Sequence, residues 1–73
     1  MFGSIKKTMT INGMHCGHCS ARVKAALEAV DGVKSAKVSH EDGTAELKLS
    51  HEVAPELLMQ AVNDQGFEAV EVE

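Results

Sequence analysis

Apolar residues recur along this chain with two alternating periods. In Ile5-Lys6-Lys7-Thr8-Met9-Thr10-Ile11 the apolar positions are 5, 9 and 11, and Lys7 interrupts an otherwise strict alternation, so the segment predicts a half-buried strand. Asn12-Gly13 ends it, and Met14 to Cys19 reads as a loop. From Ser20 the period changes. Val23, Ala26, Leu27 and Val30 fall at i, i+3, i+4 and i+7, the stripe of an amphipathic helix, which Cys19 extends backwards by four residues. Asp31-Gly32 stops this helix, with Gly32 suited to the left-handed position after its end.

Alternation resumes with Val33, Ala36 and Val38 inside and Lys34 and Lys37 outside. His40-Glu41-Asp42-Gly43 carries the Asp-Gly hairpin signal, and Ala45, Leu47 and Leu49 then alternate cleanly with Thr44, Glu46 and Lys48. Pro55 opens a second helix at a position that tolerates proline. Leu57, Leu58, Ala61 and Val62 form its expected inner face, and Gly66 ends it. A last strand, residues 68–73, places Val70 and Val72 in one phase, with Phe67 and Ala69 in the other. Met9, Ile11, Val23, Leu27, Val38, Leu47, Leu58 and Val62 are the expected core.

The order is strand, helix, strand, strand, helix, strand, two βαβ halves joined by a hairpin. That order predicts an α+β ferredoxin-like sandwich, a four-stranded antiparallel sheet with both helices on one face, filling residues 1–73 as one domain. In such a topology the loop after the first strand, the hairpin and the exit of the second helix share one end. His15, Cys16, His18, Cys19, His40 and Phe67 gather there, and His51 belongs at the other end.

Composition narrows the chemistry. With 73 residues the hydrophobic core is marginal, and two cysteines could supply a staple. Cys16 and Cys19 are only three apart, however, so a bond between them would close a tiny loop and remove little chain entropy. The pair is there for chemistry. No apolar run approaches the roughly 20 residues of a membrane span, and the N-terminus lacks a signal-peptide core, so a cytosolic location without membrane insertion is expected. A net charge of −4 with 3% aromatic residues argues against a nucleic-acid partner. The charge is divided. The first 37 residues carry six basic side chains against Glu28 and Asp31, and the remainder carries Lys48 against nine acidic ones. Arg22 and Lys24, on the first helix, are a candidate basic docking face.

In Gly13-Met14-His15-Cys16-Gly17-His18-Cys19, two thiols three apart at a loop-to-helix junction can converge on one point. A helix N-terminus lowers thiol pKa there and favours thiolate. Two thiolates select soft ions of low coordination number over zinc, which wants four ligands. A thiol–disulfide redox protein is the alternative from another class. Against it, no aromatic precedes Cys16, and Pro55 sits at a helix start rather than opposite the cysteines. A haem site fails because Ser20 follows Cys19.

That motif, with Gly32-Val33 after the first helix and Gly66-Phe67 after the second, resembles the heavy-metal-associated domain over essentially the whole chain. It looks most like the small bacterial copper chaperones and the matching domains of copper-exporting P-type ATPases. The resemblance implies that Cys16 and Cys19 hold one Cu(I), with Ag(I) as its mimic, in near-linear fashion, Cys16 being the more exposed sulfur. His15 stands where zinc- and cadmium-handling relatives often carry an acid, which points to copper. It also implies a non-enzymatic carrier that passes the ion by thiolate exchange to a copper-transporting P-type ATPase domain, with a copper-responsive regulator as another partner. Beginning at Met1, the chain is read as a free chaperone that is monomeric without metal. An excised ATPase domain, and a dimer bridged by metal through Cys16, Cys19 and the loop histidines, are the alternatives. His18 and His15 are candidate additional or outer-shell ligands, with solvent exposure as the competing reading. Met14 is read as core filling beneath the loop, and Phe67 as a cover over the metal end.

Overall fold

The structure, a computed structural model, describes residues 5–15 and 17–73. Its elements are β1 (Ile5–Asn12), α1 (Gly17–Glu28), β2 (Val33–Ser39), β3 (Thr44–Leu49), α2 (Pro55–Asn63) and β4 (Glu68–Val72). The strands form one antiparallel sheet in the order β2-β3-β1-β4. Val23 and Leu27 of α1 and Leu58 and Val62 of α2 join Met9, Ile11, Ala45, Leu47 and Leu49 of the sheet in one buried cluster. The helices therefore share one face, and the architecture is the ferredoxin-like sandwich. Among the described residues no polar or charged residue is buried, so the core is wholly apolar.

Three local departures from the sequence reading have physical causes. Helix α1 begins at Gly17, three residues before Ser20. Gly17 and His18 add no apolar signal, so periodicity does not reveal this first turn, within which the Ser20 hydroxyl donates to the Gly17 carbonyl at 2.9 Å. In α2, Leu58 and Val62 are one turn apart and buried, whereas the neighbouring Leu57 is turned outward and 57% exposed. In β4, a register shift opposite Thr10/Ile11 reverses the phase, so Ala69 is buried and Val70 lies outside. The odd step from Val33 to Ala36 is likewise a register shift, in β2.

Lys7, the residue that broke the alternation, does lie on the core side of β1, but at its edge. Its ammonium reaches the Glu52 carboxylate at 3.7 Å, which lets the aliphatic stem pack while the charge stays wet. Val53, just before α2, is also buried, and it belongs to no periodic run that would reveal it.

The turn after α1 depends on Gly32. Its φ is +99°, and a β-carbon there would stand 2.7 Å from Val53 Cγ2 and 2.8 Å from His51 Cε1. Both handedness and space exclude a side chain. This contact also places His51 at the end of the sandwich where α1 closes, as expected.

Edge strand β2 is sealed by side chains. Lys24 of α1 donates to the Ala36 carbonyl at 3.1 Å, and the Ala36 N–H donates to Glu28 at 3.2 Å. Lys24 and Glu28 are also paired with each other one helical turn apart. The outward-facing backbone groups of Ala36 are thus occupied, a common device for blunting an exposed edge. Lys24, read from sequence as half of a basic docking face, is engaged in this lock, and Arg22 is held by Gln65 and Phe67.

Candidate metal centre

The loop from Gly13 to His15 leaves the end of β1 beside three other segments. The Ile11 N–H donates to Gly43 O at 2.8 Å, which brings in the β2–β3 hairpin that carries His40. The Asn12 amide donates to Glu68 at 3.2 Å, which brings in the start of β4. Gly13, at φ +102°, lies against Phe67, whose Cδ1 would be 3.5 Å from any β-carbon at that position. The loop therefore rests on the aromatic ring through a residue with no side chain of its own.

Helix α1 then rises from the loop, and this fixes the described half of the cysteine pair. Cys19 sits in the first turn of α1, partly buried and packed against the core cluster. Its sulfur is anchored by the same stripe that buries Val23, four residues on. At that helix end the macrodipole is positive and backbone N–H groups lack intrahelical partners, so negative charge on a metal–thiolate unit is stabilised. Cys16 lies outside the described residues.

The neighbours divide by burial. Met14 is 7% exposed and belongs to the core cluster, which matches its reading as filling beneath the loop. His15 in the loop and His18 in the first turn of α1 are both exposed. Among the described residues no three His, Cys, Asp or Glu side chains converge on a metal-sized site. Phe67 is partly buried, between the end of α2 and the start of β4.

Arg22, one turn along α1 from Cys19, reaches across this end. Its guanidinium carbon is 5.9 Å from the centre of the Phe67 ring. Its Nη2 also approaches the Gln65 carbonyl and side-chain oxygens at 3.5 Å each. Arg22, a candidate docking charge by sequence, is thus engaged within the domain by Gln65 and Phe67. Gln65 carries no periodic or motif signal, so only the fold reveals the contact. The result is a chain of contacts, Gly13 on Phe67 on Arg22, that ties the loop end of β1 to the same helix that holds Cys19.

The heavy-metal-associated domain model matches residues 8–68 of the chain. The copper chaperone CopZ of Staphylococcus aureus is 36% identical over 66 residues, which cover 89% of this chain and 97% of the chaperone. A mercuric reductase of Serratia marcescens is 47% identical over 62 residues, covering 85% of this chain but only 14% of that enzyme. The crystal structure of a copper-binding domain from a P-type ATPase superposes with a TM-score of 0.84 at 34% identity, covering 94% of this chain and 95% of that one. Matching sequence from β1 to the start of β4, on a sandwich whose cysteine-bearing helix starts at the same loop as the family motif, makes the chain a member of the heavy-metal-associated domain family.

Proposed function

We propose that the chain carries a single soft metal ion, Cu(I), on the thiolates of Cys16 and Cys19 and delivers it by ligand exchange. The observation that carries this reading is the position of Cys19. It stands in the first turn of α1, half-buried at a positively polarised helix end, three residues after Cys16 in sequence. Two thiolates match the preference of Cu(I) for soft donors at low coordination number. The named relatives include a copper chaperone matched over nearly its full length and a copper-binding ATPase domain, which supports copper as the cargo.

Transfer follows from a two-ligand site. A thiolate of the partner adds to the bound ion, giving a three-sulfur intermediate, and one sulfur of this chain then leaves. Each step forms one metal–sulfur bond before another breaks, so the ion is never released to water. Substrate chemistry of the covalent kind has no place in this scheme. The partner it calls for is a domain with its own CxxC pair, such as that of a copper-transporting P-type ATPase. His18 and His15, both exposed, stand close enough in sequence to the thiols to serve as outer ligands during exchange.

Anaerobic titration with Cu(I) against a strong competing chelator tests the assignment. The expected result is about one ion retained per chain, lost on Cys16→Ser or Cys19→Ser. Retention by the doubly substituted chain, or no retention by the wild type, overturns it. The second outcome, with a reversible Cys16–Cys19 disulfide, would instead mark a dithiol redox protein.

One observation favours a second cargo. The identity to the mercuric reductase, 47%, exceeds the 36% to the copper chaperone. Hg(II) is also soft and accepts two thiolates. The two cargoes separate on delivery rather than binding. Faster release of Hg(II) to a mercuric reductase core than of Cu(I) to an ATPase domain would favour mercury.

A further inference from the structure

The sheet face turned away from the helices carries a charge pattern that the metal end does not use. Register places Lys6 of β1 directly opposite Lys48 of β3, and Ser35 of β2 lies on the far side of Lys48. That row holds two cations and no acid. One row nearer the metal loop, Glu46 stands between Lys37 and Thr8. Like charges directly opposed across an antiparallel pair are destabilising. Among the described residues none of Lys6, Lys37 and Lys48 makes an ion pair, since the pairs present use Lys7 and Lys24. Together these side chains line a groove of about 730 Å³. In a chain of net charge −4, such a concentration of unpaired lysine is a local conflict that folding alone does not explain.

We propose that this groove binds an extended, acidic segment of a partner protein, seated on Lys6, Lys37 and Lys48. Alternate side chains of an extended segment project to one side about 6.6 Å apart, which matches the two-residue step between the lysine rows. Hydroxyls of Ser35 and Thr8 flank the cations, and Glu46 accepts a donor from the same segment. A narrow segment fits better than a broad polyanionic surface. Across the face the charge reverses, with Glu71 paired opposite Thr10 and Glu68 opposite Asn12 on β4. Those acids lie about 13 Å or more along the strands from the Lys6–Lys48 row, where a membrane or a long polyanion would meet them. Lys6 also lies six residues before Asn12, about 20 Å from the metal loop. The groove can therefore anchor a partner while the thiols remain free, and the inference does not rest on which metal they carry.

The test uses the whole chain and a fluorescein-labelled decapeptide of alternating Glu and Ser. Anisotropy and amide chemical-shift mapping should show binding confined to β2, β3 and the first half of β1. Affinity should fall about tenfold or more in the Lys6→Glu/Lys48→Glu variant, and fall steeply between about 0.02 M and about 0.3 M salt. Arg22→Glu should leave it unchanged. If the charge reversal fails to fold, Lys6→Gln/Lys48→Gln takes its place. Shifts centred on Arg22 and the metal loop, or equal binding by the substituted groove, would overturn the proposal. So would tighter binding of anionic phosphatidylglycerol vesicles or inorganic polyphosphate than of the peptide, or sedimentation showing that a second copy of the chain fills the groove.

Discussion

The guanidinium of Arg22 lies over the ring of Phe67, and Phe67 in turn seats Gly13 at the mouth of the cysteine loop. The contact joins α1 to the β1 exit through an aromatic ring. Arg22→Ala should cost about 0.5–1 kcal/mol in chemical denaturation, the worth of an exposed cation–π contact. Phe67→Ala should cost about 1–3 kcal/mol, and should also speed the reaction of the thiols with an aromatic disulfide reagent. An unchanged thiol rate would show that the ring supports the loop without shielding it.

Two adjacent leucines in α2 provide a direct contrast. Leu58 is 1% exposed and Leu57 is 57% exposed. Leu58→Ala should lose about 2–5 kcal/mol, enough to unfold a domain of marginal core, whereas Leu57→Ala should stay within about 0.5 kcal/mol of wild type. Urea titrations of the two variants check both values.

Gly32→Ala combines a left-handed backbone with a 2.7 Å approach to Val53 Cγ2. The handedness alone costs about 1–2 kcal/mol, and displacing Val53 adds to it. A thermal midpoint lowered by several degrees is expected, with the shift reduced when Val53 is shortened to Ala in the same chain.

Glu28 is held below its ordinary value of 4.5 by the hydrogen bond from Lys24 and then by the Ala36 N–H. A lowered folded-state value means that the stabilisation is complete above the ordinary carboxylate value and is lost as pH falls through the lowered one. The contact between α1 and β2 should therefore loosen only in acid. Hydrogen exchange at Ala36 should accelerate there, and Glu28→Gln should flatten that dependence.

Lys6→Glu should stabilise the fold by about 0.2–1 kcal/mol, because it turns the like-charge pair with Lys48 into an opposite one. Urea titration at low salt gives the sign.

Much of the fold was legible because the periods were clean. β3 alternates without a break, and the Asp42-Gly43 turn and Gly32 stand where their backbone demands put them. What escaped was set by pairing rather than by local sequence. The phase of Val70 is reversed by a register shift that belongs to β1 and β4 jointly. Val53 is buried by the turn at Gly32, a contact with no sequence period. At the site, Met14 is buried as expected, and Phe67 is partly buried beside Gly13. The start of α1 fell earlier than expected, because Gly17 and His18 add no apolar signal, so His18 and Cys19 belong to a helix rather than to a loop.

The lock on β2 has a further side. It is built from two charged side chains instead of a covering strand, and only its Glu28 half answers to acid. Above the carboxylate range Ala36 offers nothing to an approaching chain. In acid the Glu28 carboxylate loosens its hold on the Ala36 N–H, while Lys24, still a cation, keeps the Ala36 carbonyl covered. Acid thus bares one donor on this edge and leaves its acceptor covered, half of what an added strand would need.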